Sequence, residues 1–461
     1  MRICLVLEGS YPYITGGVSA WVHDLIVNLP EIDFVLFTIS PNREQTVKYK
    51  LPDNISEHRN IIVSEQMPSK SKPDKKKKML EHIRQLHTSF KNNSSQGLEE
   101  LLNHIPENYF LYKDAIKSPT GWDMITEANQ RFNPIYPFVD YFWAWKSAHD
   151  MLFTVLGAPA PEADIYHSVS TGFAGLAALA AKIRKGKPFL LTEHGLYHKE
   201  RDMEIRKSNY IRGYQRDMWI KMYNQFSRIC YEKADIITAL FETNRLHQID
   251  AGASPEKTKV IPNGIDIERF SSVERKEEPG FHVGLVGRVV PIKDIKTFIA
   301  TAKIVIDRIP DVYFYCIGPT DEDPGYFKDC KLLVESLKIQ DNFFFTGKQN
   351  VLEYYSFLNL LMLTSVREAQ PLVILEGYAA GIPAVATNVG NIPELLDHNQ
   401  KLLAPPKDST NLAEGIIYLY EHPAEVRDLV EKNKRKVDMF YNKYELHRRY
   451  RELYKSIIGG T

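Results

Sequence analysis

The stretch REAQPLVILEGYAAGIPAVAT, Arg367 to Thr387, decides how this chain is read. The apolar run Leu360–Thr364 just before it predicts a strand, and a short loop carrying Glu368 follows. Pro371 suits the first turn of a helix, where its missing N–H leaves no hydrogen bond unmade. The helix runs to Gly381, a residue suited to ending it, and Ala384–Thr387 predicts the next strand. Backbone N–H groups of Ala369, Gln370 and Leu372 are then left at a helix N-terminus, a ready place for a diphosphate. Glu368 and Glu376 are separated by seven residues, one carboxylate on the loop and the other two turns into the helix. Both can face one cleft and accept hydrogen bonds from ligand hydroxyls. The plainer alternative makes Glu368 a cap and Glu376 a surface residue, and the following Gly-Ile-Pro and strand weigh against it.

GLVGRVVPIKDIKTFI (Gly284–Ile299) is a strand, a glycine turn, two spaced cations and a helix. Arg288 and Lys293 lie beyond the C-terminal end of the strand, where open α/β sheets bind ligands. Two cations there can neutralise a departing diphosphate as its charge develops, Arg as a fork and Lys as a point charge. Surface cations on a loop are the alternative. Near the start, EGSYPYITGGVSAWVHDL (Glu8–Leu25) is a strand, a loop and an amphipathic helix. Gly16 and Gly17 let a ligand approach the backbone closely, but the pattern is not GxGxxG, so no dinucleotide fingerprint is present. LTEHGLYHKERD (Leu191–Asp202) places His194 at a strand end, to touch a ligand or to be buried structurally. Its HxxxH spacing with His198 would suit zinc on a helix, but Gly195 and the strand argue against helix there. His167, in DIYHS (Asp164–Ser168), lines the cleft or caps a strand.

Working outward, short apolar runs alternate with helical segments. The first series is Ile3–Leu7, Phe34–Ile39, Asp164–Val169, Phe189–Thr192, Ile236–Leu240 and Lys259–Ile261. The second is Val283–Val286, Tyr313–Ile317, Phe343–Thr346, Leu360–Thr364 and Ala384–Thr387. Continuous apolar strands between helices indicate parallel sheets covered on both faces, so the fold class is α/β with two doubly wound, Rossmann-like domains. The chain of 461 residues is long enough for two. The polar stretch Ser271–Gly280 is the expected break. It gives a first domain of residues 1–275, joined by a C-terminal helix of about 440–461, and a second of residues 276–439. Residues of about 41–160 interrupt the rhythm as an insertion. Within it, SKSKPDKKKK (Ser69–Lys78) reads as a solvated charge run or an anionic-surface contact. FVDYFWAWKSAHDML (Phe138–Leu152) reads as an aromatic helix, packed on the domain or offering a stacking surface for carbohydrate.

Composition excludes several classes. With 58 basic and 58 acidic residues there is no basic field to attract nucleic acid. Cys4, Cys230, Cys316 and Cys330 form no CxxC pair and read as free core thiols of a reducing compartment. The opening MRICLVLEG lacks a signal-peptide pattern, and no run is long enough to span a membrane, so a cytoplasmic location is expected. The sequons at Asn92 and Asn93 would then stay unmodified.

Together these motifs resemble the retaining GT-B glycosyltransferases of family GT4. The E-x7-E pair Glu368/Glu376, GRVVPIKD, IPNGID (Ile261–Asp266) and FTG (Phe345–Gly347) stand in that family's order over nearly the whole chain. EGSYPYITGGVSAWVH, TEHGLYHKER and GLVGRVVPIKDIKTF are similar in detail to the PelF-type enzymes of Pel exopolysaccharide systems. The resemblance implies a UDP-sugar donor, UDP-glucose or a UDP-N-acetylhexosamine, and a growing exopolysaccharide acceptor. A membrane polysaccharide-synthase complex is the implied partner, and neither metal nor cofactor is expected. It assigns Glu368 to the donor sugar, Glu376 to the ribose, and Arg288 and Lys293 to the diphosphate. Gly16 and Gly17 approach donor phosphate and acceptor, His194 stands beside the donor sugar, and Ala369, Gln370, Pro371 and Leu372 complete the donor site. A nucleotide-sugar epimerase and a catalytically silent sugar-nucleotide sensor are the competing readings.

Overall fold

The computed structural model describes residues 1–64, 73–92, 94–105, 118–132, 137–208 and 213–459. The start of the Ser69–Lys78 run, residues 69–72, and the sequon asparagine at 93 lie outside them. The chain divides into two units, Met1–Ile261 with Arg449–Thr461, and Pro262–Arg448.

The first unit is built on a parallel sheet of seven strands in the order β3-β2-β1-β4-β5-β6-β7. These are β1 Arg2–Glu8, β2 Asp33–Ser40, β3 Ile55–Ile62, β4 Ile165–Ser168, β5 Phe189–Glu193, β6 Ile236–Ala239 and β7 Thr258–Val260. Its helices are α1 Gly17–Val27, α2 Pro73–Lys91, α3 Gln96–His104, α4 Pro119–Phe132, α5 Phe138–Gly157, α6 Phe173–Lys185, α7 Tyr197–Lys207, α8 Tyr214–Lys233 and α9 Glu242–Asp250. The central strands are buried on both faces, which is why RICLVLE and FLLTE carry continuous apolar runs. Sequence reading missed β3. ISEHRNII is mostly polar and half-exposed because it is an edge strand, paired only with β2. The expected interruption of the α/β rhythm therefore begins after Ile62. The aromatic helix α5 packs its stripe inward: Tyr141, Trp145, Leu152 and Phe153 are buried, while Val139 and Trp143 are exposed.

The second unit has a parallel sheet of six strands, order β10-β9-β8-β11-β12-β13. They are β8 Phe281–Val286, β9 Val312–Ile317, β10 Phe343–Gly347, β11 Leu360–Leu363, β12 Ala384–Thr387 and β13 Leu403–Ala404. The helices are α10 Ile267–Ser271, α11 Ile295–Ile306, α12 Pro324–Ser336, α13 Val351–Tyr355, α14 Leu372–Ala379, α15 Ile392–Leu395, α16 Ser409–Glu421, α17 Pro423–Phe440 and α18 Lys443–Gly459. The polar stretch Ser271–Gly280 packs on this unit: Lys276 N–H donates to the Ser356 carbonyl, and Phe270 just before it is core. Helix α18 begins here, with Lys443 paired to Asp266 at 2.6 Å, and its C-terminal half belongs to the first unit, where Arg451 meets Glu31 at 2.5 Å.

Among the described residues no helix is long and apolar enough to cross a membrane. All four cysteines are buried and unpaired.

Candidate functional site

In an open parallel sheet, the crevice for a ligand lies beyond the C-terminal ends of the strands where their order reverses. In the second unit that point falls between β8 and β11, because β9 and β10 lie to one side of β8 and β11, β12 and β13 to the other. The loop after β8 carries Arg288 and Lys293, and the loop after β11 carries Glu368. The backbones of the two loops are tied together. Val366 N–H donates to the Ile292 carbonyl at 2.9 Å, and Thr364 Oγ1 donates to the Lys293 carbonyl at 2.8 Å. Lys293 Nζ donates to Glu368 Oε1, which also accepts from Ser365 Oγ at 2.7 Å. The side chains of this pair are 24% and 14% exposed, so solvent screens it only in part. Arg288 is the more open cation. It meets both oxygens of Glu322 at 2.6 Å, and both side chains are exposed. The acidic turn Asp321–Asp323 thus supplies a partner for Arg288 and, through Asp323, the cap of α12.

Helix α14 starts one residue later than the sequence suggests. Pro371 is its N-cap and Leu372 its first residue, and no side chain caps the end. Gly381, with φ +78°, terminates it as expected. Buried Gln370 anchors the loop to the Ile261–Asp266 motif: Asn263 N–H donates to its Oε1 at 2.8 Å. The Oδ1 of Asn263 is itself buried without a hydrogen-bond partner. Ala369 accepts the N–H of Asn391, and Gly390 passes so close that a Cβ there would lie 2.1 Å from the Glu368 carbonyl oxygen. Leu372 is exposed at the helix start. Two turns on, Glu376 is half-buried and accepts a hydrogen bond from Tyr355 Oη at 3.3 Å. Burial raises its pKa, opposed by that hydrogen bond and by the charge of Arg269. Glu376 is therefore not a plain surface residue.

In the first unit the strand order reverses between β1 and β4. Beyond β1, Gly16 is the extended N-cap of α1, again without a side-chain cap, and Gly17 is its first residue. A Cβ on either would meet nothing within 4 Å, so the backbone there stands open. His194 follows β5. Its ring packs edge-on to Trp21 at 4.7 Å, and its Nε2 is buried with no partner. Desolvation pulls its pKa down to about 4, so the imidazole is neutral near pH 7 and its nitrogens can donate or accept. His167, expected at the cleft or as a strand cap, is instead a core residue. It is fully buried between Tyr454 Oη at 2.7 Å and Thr192 Oγ1 at 2.8 Å. His198 lies in the first turn of α7 and His194 before it, so the two do not share a helix.

Two carboxylates of the first unit escaped the sequence reading. Glu8 ends β1 and accepts Tyr197 Oη at 3.0 Å and the Ala174 N–H at 3.2 Å, at the start of α6. Glu193 ends β5 and is held by Tyr231 Oη at 2.6 Å, Gln248 Nε2 at 3.0 Å, Thr171 Oγ1 and the Tyr197 N–H. Burial raises the pKa of both, that of Glu193 to about 7. Their sequence signal was an acidic residue closing an apolar strand, in RICLVLE and FLLTE.

Comparison with known proteins bears on both units. Residues 1–256 match the family described as Domain of unknown function (DUF3492), and residues 266–437 match Glycosyl transferases group 1. The N-acetyl-alpha-D-glucosaminyl L-malate synthase of Bacillus anthracis is 27% identical over 51% of this chain and 63% of its own length. The amylovoran biosynthesis glycosyltransferase AmsK of Erwinia amylovora is 24% identical over 63% of this chain and 70% of its own. The chain thus spans less than two thirds of the first relative. The structure of Anabaena Alr3699/HepE in complex with UDP superposes with a TM-score of 0.63 at 16% identity, over 99% of this chain and all of that one. The fold is the GT-B architecture of two parallel-sheet α/β domains.

Proposed function

This chain belongs to the family described as Domain of unknown function (DUF3492) and carries a glycosyl transferases group 1 domain; from that premise we propose that it transfers a sugar from a UDP-sugar to a growing exopolysaccharide with retention of configuration. The observation that carries the proposal is the Lys293–Glu368–Ser365 cluster where β8 and β11 end, beside the uncapped N-terminus of α14. A cation and a helix N-terminus suit a diphosphate, and a carboxylate in the same crevice suits sugar hydroxyls. Glu376, two turns into α14, suits the ribose. Relatives named for polysaccharide biosynthesis support the acceptor class, and the motif resemblance supports a PelF-like role and UDP-glucose or a UDP-N-acetylhexosamine as donor.

In the transfer, the bond from the anomeric carbon to the diphosphate oxygen breaks and a bond to the acceptor oxygen forms on the same face. The acceptor proton passes to the departing phosphate oxygen. Lys293 and Arg288 stabilise the negative charge that develops on the diphosphate. For this they exchange their present partners, Glu368 and Glu322, for phosphate oxygens, which leaves Glu368 to hold the sugar. Neutral His194 is suited to hydrogen-bond a sugar hydroxyl. The residues do this without a metal ion. The test is a panel of nucleotide sugars screened with the purified protein for binding and for transfer, with and without EDTA. UDP-sugars should bind and turn over under both conditions. Failure of every UDP-sugar to bind refutes the donor, and loss of transfer in EDTA that Mg²⁺ restores refutes the metal-free chemistry.

A further inference from the structure

The helices between β3 and β4 carry a side-chain cluster that the transfer does not use. His82 lies on α2, and Glu100 and His104 lie one turn apart on α3. One nitrogen of each imidazole and one carboxylate oxygen of Glu100 all fall within 4.8 Å of one another. The two rings face each other with centroids 4.3 Å apart and planes 16° apart. Each histidine has its Nδ1 beside an oxygen: for His104 the Glu100 carbonyl at 2.8 Å, with the Glu100 carboxylate Oε2 at 3.5 Å, and for His82 Gln85 Oε1 at 3.4 Å. A proton on Nδ1, donated to that oxygen, leaves the Nε2 lone pair free. This is the tautomer that metal-bound histidines commonly take, with the other ring nitrogen bonded to a carbonyl or carboxylate.

The backbone beneath the cluster is held firmly. Leu80, Ile83 and Leu86 of α2 are buried in the same core as Leu98, Leu101 and Leu102 of α3. The helices approach so closely at Gly97 that a Cβ there would lie 2.7 Å from the Leu86 Cα. The side chains above are freer, since His104 is exposed and His82 and Glu100 are half-buried. Beside them opens a cavity of about 710 Å³, lined by His82, Gln85, His87, Glu100 and Glu127 among others.

We propose that His82, Glu100 and His104 bind a divalent transition-metal ion, Zn²⁺, which clips α2 to α3 and keeps one coordination position open to the cavity. Two imidazoles and one carboxylate form a donor set that suits zinc. Mg²⁺ and Ca²⁺ call for oxygen ligands and more of them. Tetrahedral zinc with bonds of about 2.0–2.1 Å needs ligand atoms roughly 3.4 Å apart. The cluster therefore closes by about 1–1.5 Å and the rings turn out of their stack, movements that side-chain rotation on fixed backbones can supply.

The experiment uses the full-length chain without a histidine tag, stripped with chelator and titrated calorimetrically with Zn²⁺ and separately with Mg²⁺. One Zn²⁺ per chain should bind at micromolar or tighter concentration, and Mg²⁺ should give no stoichiometric binding. Because loss of an outer partner alone typically weakens a site about 10–100-fold, His82→Ala and His104→Ala should each cost at least about 100-fold. Zn²⁺ should raise the melting temperature of the wild-type protein and leave that of both variants unchanged. His104 is exposed, so without zinc His104→Ala should melt with the wild type, which keeps a folding defect distinguishable from loss of the site. Absence of stoichiometric Zn²⁺ binding, or full affinity in the His82→Ala/His104→Ala double variant, overturns the proposal.

Discussion

Replacing Glu368 by Gln should tighten the binding of free UDP while slowing transfer. Lys293 is held by the Glu368 carboxylate, so a diphosphate that takes Lys293 must displace it. Exposed ion pairs contribute about 0–1 kcal/mol, and breaking a buried one costs about 3–5 kcal/mol. With side chains 24% and 14% exposed the pair lies between these cases, and about 1–1.5 kcal/mol is a reasonable share. The neutral amide of the Glu368→Gln variant would hold Lys293 less strongly and would not repel phosphate. UDP affinity should therefore rise about 5–10-fold. Transfer should fall by at least about tenfold, because a hydrogen bond to a charged acceptor contributes about 1.5–3 kcal/mol and the donor sugar loses one. Calorimetry with UDP, beside a transfer assay with the best UDP-sugar, reads both effects. Lys293→Ala supplies the opposite sign: UDP affinity and turnover should fall together, turnover by about 100-fold or more. If Glu368→Gln weakens UDP, or Lys293→Ala leaves its affinity unchanged, the diphosphate does not sit at Lys293.

Glu376→Ala should weaken free UDP about tenfold or more, since the carboxylate assigned to the ribose is lost; unchanged calorimetric affinity refutes that role. Gly390→Ala places a Cβ 2.1 Å from the Glu368 carbonyl at a φ of +57°, so the glutamate loop must shift. Transfer should drop more than about tenfold, and a wild-type rate shows that the loop position does not matter. Glu193 has a folded pKa of about 7, above the 4.5 of a free carboxyl, so folding favours its protonated form. Its stabilising contribution is fully present below about pH 4.5 and lost as pH rises through about 7. The melting temperature of the wild type relative to Glu193→Gln should therefore be higher at pH 5 than at pH 7.5, and a difference independent of pH refutes the shift.

Much of this protein was legible in local pattern. Apolar runs buried on both faces announced the parallel strands. Gly381 announced the end of α14, and the spacing of Glu368 and Glu376 announced one carboxylate on a loop and another on the helix behind it. These features depend on residues near one another in the chain, where the periodicity of strand and helix leaves a direct imprint. The edge strand β3 left little imprint, because only one neighbour pairs with it and its side chains are half in solvent. The sequence by itself determined the two α/β units and the loops that carry the cations and carboxylates. Tertiary structure alone decided which polar side chains meet: Lys293 with Glu368, 75 positions away, Arg288 with Glu322, and Glu8 with Tyr197, 189 positions away. It also made His167 a core residue and brought His82 beside Glu100 and His104. The physical reason is that such pairings are set by how strands order themselves in a sheet and how helices pack, and neither leaves a periodic mark in the chain.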